Sequence, residues 1–133
     1  MKEAVEKRKC QLRVVLLNPN SPFITALEKH YKYENGELLK YICEATDRWK
    51  QLAQEVNGKQ RGTVKIYYFN GQPVNSLYRI DNRIVIVTAK NSKGKSSYLP
   101  FFVCQKINGK TCLYDALLSE IEAIISEATE VIM

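Results

Sequence analysis

Apolar residues recur along this chain at two spacings. From Gly36 to Val56 they fall at Leu38, Ile42, Ala45, Trp49, Leu52 and Val56, steps of four and three that draw one stripe along a helix. Asn35 is the expected cap, Glu37 suits the first turn, and Asn57-Gly58 supplies the stop. A second stripe begins near Cys112 with Leu113, Leu117, Ile121, Ile124, Ile125, Ala128 and Ile132. Between and before these helices lie short β-branched and aromatic runs that predict strands over 11–17, 63–69, 76–80, 83–88 and 98–107. Pro100 sets a break or an edge near the start of the last of them.

The connections follow from turn chemistry. Asn18-Pro19-Asn20-Ser21-Pro22 ends the first strand, because proline lacks a ladder donor and restricts the residue before it. A short helix over 23–29 is expected next, and Asp81-Asn82 reads as the two-residue turn of a tight hairpin. The opening residues, to about Lys9, read as the last turns of a helix, which suits a module excised from a longer chain. No repeat, linker or low-complexity tract divides the 133 residues. The expected fold is therefore α/β: one layered domain, residues 1–133, with a mixed β-sheet flanked by helices.

Composition narrows the class of protein. With 45% hydrophobic and 26% charged residues the chain can bury an ordinary core. It lacks an apolar run of the roughly 20 residues that span a bilayer, and its charged start has no signal-peptide core, so a cytoplasmic location is expected. Cys10, Cys43, Cys104 and Cys112 are scattered without a CxxC pair and His30 is the sole histidine. Reduced, mostly buried thiols are the reading, with no metal and no cofactor.

Charge is distributed unevenly. Residues 1–56 carry ten basic and eight acidic side chains, residues 57–110 ten basic and one acidic, and residues 111–133 five acidic and none basic. The middle section suits phosphates or nucleic acid. The alternative is that its basic strands lie beside the acidic last helix, which would cancel part of the charge inside the fold.

Candidate chemistry is sparse. Gly94-Lys95-Ser96 matches only the end of a P-loop, whose first glycine is replaced by Ala89. Lys90, Lys93, Lys95, Ser96 and Ser97 offer a looser set of phosphate contacts. His30, Tyr31, Lys32 and Tyr33 mix cationic and aromatic groups after the first strand but include no evident nucleophile. Trp49 lies on the apolar stripe, as a core anchor would.

The order of elements resembles phospholipase D-like domains, including modules attached to bacterial regulators and defence proteins. It rests on Arg13 to Leu17 with its Leu-Asn-Pro-Asn-Ser-Pro exit, the long helix, a basic strand, Tyr78-Arg79-Ile80-Asp81-Asn82, a further strand and a last helix opening Cys112-Leu113-Tyr114-Asp115. The resemblance implies one phospholipase D-like half. Active members carry H-x-K-x-x-x-x-D, with histidine as nucleophile and lysine on the phosphoryl oxygens. Anchored on Asp81, those positions hold Val74 and Ser76, which supply neither nucleophile nor charge. The resemblance therefore implies a scaffold without the hydrolase.

What such a scaffold retains is a binding cleft, with Arg79, Arg83, Lys90, Lys93, Lys95, His30, Tyr31 and Tyr33 as its candidate contacts. The leading expectation is a non-catalytic sensory or regulatory domain that binds a small anionic ligand, a nucleotide being one case, and signals to a fused or partner domain. Its relatives imply a homodimer. Two alternatives stand beside it: a nucleic-acid-binding module using 57–110, and a ligand-free homo-oligomerisation domain.

Overall fold

The structure is a computed structural model that describes residues 11–58, 62–71, 75–80, 83–89 and 101–132. Strand β1 (Gln11–Leu17) leads through helix α1 (Ile24–His30) and the long helix α2 (Glu37–Gly58) to β2 (Thr63–Phe69). The antiparallel meander β3 (Asn75–Ile80), β4 (Ile84–Ala89) and β5 (Phe101–Gln105) follows, then helix α3 (Leu113–Glu127) and a two-residue strand β6 (Thr129–Glu130). The fold is α/β, and its strands divide into two three-stranded sheets, β1-β2-β6 and β3-β4-β5, where the sequence pattern predicts one.

The first sheet is mixed. β1 and β2 are parallel, paired from Gln11 with Thr63 to Leu17 with Phe69, as a helical crossover between strands requires. Their apolar runs pack against α2: Ala53, Val56 and Val64 form a fully buried cluster, flanked by Leu12 and Leu52. Thr46, buried on the same helix, donates to the Ile42 carbonyl at 2.8 Å and accepts from the Tyr68 hydroxyl at 3.0 Å, tying α2 to the end of β2. Trp49 is half-buried on this face.

The outer edge of β2 is closed by two devices. β6 pairs antiparallel with Tyr67 and Tyr68, and the Val131 amide donates to the Ile66 carbonyl at 2.8 Å. Further up the strand, the Asn57 side chain accepts from the Val64 amide at 3.0 Å and donates to its carbonyl at 3.3 Å. One amide side chain thus replaces a strand residue. Asn57 is the expected stop signal, and its second role needs the two elements in contact.

Several boundaries depart from expectation. The residue before α2 is Gly36 at φ 86°, whose carbonyl accepts from the Lys40 amide, so glycine takes the capping position expected of Asn35. Ile80 pairs with Ile84, leaving three residues in the hairpin connection instead of two. The last helix ends at Glu127 because the chain turns extended at Ala128 to form β6, so the stripe stops short of Ile132. At its start, the Asp115 carboxylate accepts from the Cys112 amide at 2.9 Å and thiol at 3.4 Å. Cys43 is exposed, while Cys104 and Cys112 are half-buried and free, so none of the three is fully buried. Cys10 and the expected opening helix lie outside the described residues.

The second sheet meets the rest of the molecule through α3. Register places Leu77, Arg79, Val85, Val87, Phe102 and Cys104 on one face, where Val85 is buried and Arg79 reaches α3. Tyr78, Ile80, Ile84, Ile86, Phe101 and Val103 share the other face. No helix among the described residues is long and apolar enough to cross a membrane.

Candidate functional site

The loops that follow β1 and β2 lie together at the C-terminal ends of the parallel pair, the end at which open α/β sheets commonly bind ligands. The Asn18 amide continues the ladder to the Phe69 carbonyl at 2.9 Å. Beyond it the Asn18 side chain accepts from the Asn20 amide at 2.8 Å, and the buried Ser21 hydroxyl accepts from the Phe23 amide at 3.2 Å. Ser21 also donates to the Asn70 carbonyl at 3.5 Å, joining the two loops. A Cβ on Gly71 would run into the Phe69 ring, so glycine lets that ring close over the chain.

Helix α1 ends in a Schellman motif. The Tyr33 amide donates to the Glu28 carbonyl at 2.8 Å and the Lys32 amide to the Lys29 carbonyl at 3.3 Å. Lys32 holds the left-handed position at φ 56°, where glycine is usual and an L side chain costs roughly 1 kcal/mol. The turn throws Tyr33 back across α1 towards α2. His30 meets Tyr31 edge-on at 5.0 Å between centroids, Tyr31 lies 5.8 Å from Tyr33, and Tyr33 meets Tyr41 of α2 edge-on at 5.6 Å. Four rings therefore run without a break from one helix to the next.

Carboxylates hold the α2 end of this run. Gly36 has no side chain to satisfy the first amides of α2, and Glu28 of α1 accepts from the Leu38 amide at 3.1 Å instead. Glu28 is only 5% exposed for that reason. Glu37 accepts from the Glu34 amide at 2.7 Å and from the Tyr41 hydroxyl at 2.8 Å. The positive end of α2 is thus already met by two carboxylates, which leaves it unsuited to a phosphate. Beside it, Thr25, Glu28, Lys29, Tyr33 and Asn35 line an open hollow of about 370 Å³.

Two tyrosines are perturbed. Burial, and secondarily Tyr33, pushes the Tyr31 hydroxyl above the usual tyrosine value. Tyr41 is also raised, chiefly because it donates to Glu37, whose charge opposes a phenolate. Both are neutral donors at ordinary pH.

The sequence candidates do not converge on one place. His30, Tyr31 and Tyr33 come together, and Tyr41, Lys29 and Lys32 join them. Arg79 is held at 3.0 Å by Glu122 of α3, whose same oxygen also takes Arg13 of β1 at 3.2 Å. Since Arg13 is the third residue of β1, Arg79 lies near the start of that strand. The ring run is carried on the helix that follows the other end of that strand, Leu17, which is about 13 Å from Arg13 at 3.3 Å per residue. The acidic last helix therefore does cancel part of the basic charge, and Arg79 is engaged in doing so. Lys90, Lys93 and Lys95 lie outside the described residues, as do Val74 and Asp81, while Ser76 is placed only as a residue of β3.

Sequence reasoning missed Glu28 and Tyr41, and it read Lys32 only as a cation among the rings. Tyr41 lies off the apolar stripe, three residues after Leu38, and its role depends on Tyr33 being folded back against it. Nothing local marks Lys32 as the left-handed residue where a glycine is usual. Among the described residues no group of three His, Cys, Asp or Glu side chains is placed to hold a metal ion. No protein-family model, curated protein or solved structure matches the chain.

Proposed function

We propose that this chain is a non-catalytic, phospholipase D-like regulatory module that binds a planar anionic ligand, with nucleotides as the leading class, and passes the change to a fused or partner domain. The observation that carries the reading is the ring run His30, Tyr31, Tyr33 and Tyr41, bordered by Lys29 and Lys32 where α1 gives way to α2. Aromatic faces stack on bases, and ammonium groups meet phosphate. Lysine at the strained position next to Tyr33 favours a role for its side chain, since glycine would relieve the backbone.

Val74 and Ser76 at the positions implied for nucleophile and cation support a binding role without hydrolysis. His30, at the helix end and edge-on to Tyr31, has no hydrogen-bonded carboxylate to orient it among the described residues. The order of elements supports the phospholipase D-like part of the reading. The hollow beside Tyr33 offers room for a ligand, with Lys29 on its wall beside Glu28, whose carboxylate is already engaged by the Leu38 amide.

Thermal unfolding in the presence of a nucleotide panel tests this. A ligand at about ten times its dissociation constant adds about 1.4 kcal/mol, which raises the midpoint of a domain of this size by about 5 °C. Lys32→Gly is the informative variant: it should raise basal stability by roughly 1 kcal/mol while reducing the nucleotide shift. No shift with any nucleotide at millimolar concentration would end the proposal, and an undiminished shift in Lys32→Gly would move the site elsewhere.

A further inference from the structure

The two carboxylate oxygens of Glu28 in α1 stand in different situations. Oε2 accepts from the Leu38 amide at 3.1 Å and so caps α2. Oε1 has no hydrogen-bond partner among the described residues, although Glu28 is only 5% exposed. A buried carboxylate oxygen left unpaired is costly unless water or a ligand reaches it. Among the described residues the Tyr114 hydroxyl is the one fully enclosed side-chain polar atom without a partner, so Oε1 is reached from outside. Glu28 lines the hollow with Thr25, Lys29, Tyr33 and Asn35, and a residue this deeply covered presents its uncovered atoms there.

The chemistry of that wall selects what meets Oε1. A carboxylate oxygen only accepts, so its partner is a donor. Lys29 on the same wall repels a second cation, which disfavours a metal ion or an ammonium group at this point. A neutral N–H remains. Tyr33 adds an aromatic face to the same wall, and flat bases stack on such faces. The Thr25 hydroxyl and the Asn35 amide, also without partners among the described residues, supply donors for the ring nitrogens and carbonyls that flank an amine on a base edge. The hollow of about 370 Å³ is at the small end of ligand sites, which run from about 300 to about 1,000 Å³, as suits a mononucleotide.

Resting on the nucleotide reading above, we infer that the hollow reads the base and that Glu28 Oε1 accepts from its exocyclic amine. The site therefore takes adenine, guanine or cytosine and disfavours the same ring without its amine. One carboxylate then holds the base by Oε1 and the first turn of α2 by Oε2. Occupancy is felt directly at the start of a 22-residue helix, the longest among the described residues.

Equilibrium dialysis of the whole chain against three pairs of nucleotides tests this, each pair differing only by an amine replaced with hydrogen. The pairs are adenosine with purine riboside monophosphate, guanosine with inosine monophosphate, and cytidine with pyrimidinone riboside monophosphate. In the pair that binds most tightly, the member with the amine should bind about tenfold better, the size of one hydrogen bond to a charged acceptor. Glu28→Gln should bring that preference to about twofold or reverse it: its carbonyl oxygen still caps Leu38, while its amide nitrogen, a donor, replaces Oε1. The members without the amine should bind the variant no worse than the wild type. The wild-type pairs decide the matter whatever the variant's stability. Equal affinity within every pair, tighter binding of the members that lack the amine, or an undiminished preference in folded Glu28→Gln would overturn the inference and leave the nucleotide reading standing. No retention of any of the six nucleotides at millimolar concentration would overturn both.

Discussion

The sheet built on β1 and β2 turns its apolar residues inward, and the sheet of β3, β4 and β5 leaves many of its own in view. Ile42, Ala53, Val56, Val64 and Ile66, five of the seven buried apolar residues among those described, belong to α2 and β2, while β4 and α3 contribute Val85 and Tyr114. On the outer face of the second sheet Tyr78 and Ile80 are about half exposed, and β5 is more open still. The strands differ little in length or apolar content. The difference lies in what covers them, since the 22-residue α2 spans the first sheet and the 15-residue α3 covers one face of the second.

Stability should follow burial and not apolar sequence. Ile66→Ala should cost about 2 to 4 kcal/mol in chemical denaturation, and Val103→Ala, measured in dilute protein, less than about 0.5 kcal/mol. Equal costs would dissolve the contrast between the sheets. Within the second region, Tyr114 adds a burden: it is buried, and its hydroxyl has no hydrogen-bond partner among the described residues.

The joint between the regions should prove weaker. Glu122 collects Arg13 from one sheet and Arg79 from the other, but all three side chains are partly exposed. Glu122→Gln should therefore cost less than about 1 kcal/mol, and the loss should shrink with added salt. A larger, salt-independent effect would show the sheets to be coupled more tightly than their ion pairs indicate.

The smallest effect is on the alkaline side. Tyr31 and Tyr41 are raised above 10.0 in the folded chain, Tyr31 by burial and Tyr41 by its bond to Glu37. A group raised on folding contributes fully below its unfolded value and loses that contribution as pH climbs through the folded one. Stability of the ring run should thus hold to about pH 10 and then fall, with Tyr41→Phe removing one late step from the ultraviolet phenolate titration. Titration of both rings below about pH 10 would mean that the run is not formed.

Much of the first region was legible in the sequence. The four-and-three stepping of α2 and the β-branched runs of β1 and β2 report burial through local periodicity, and the elements lie where that periodicity puts them. The ring residues His30, Tyr31 and Tyr33 were legible as a group because they are adjacent. Arg79 was not readable in the same way: as a lone cation in a strand it suits a phosphate as well as a carboxylate, and the choice was made by Glu122, 43 residues away.

By itself, then, the sequence determined the α/β class, the amphipathic faces and most strand positions, because side-chain periodicity within a few residues sets which face of an element prefers to leave water. Tertiary structure decided the division into two sheets, the strand β6, the Glu28 cap on α2, the left-handed Lys32 and the exposure of β5. Each of these depends on which polar group or apolar face finds a distant partner, and hydrogen bonds and packing between remote segments leave no period in the chain.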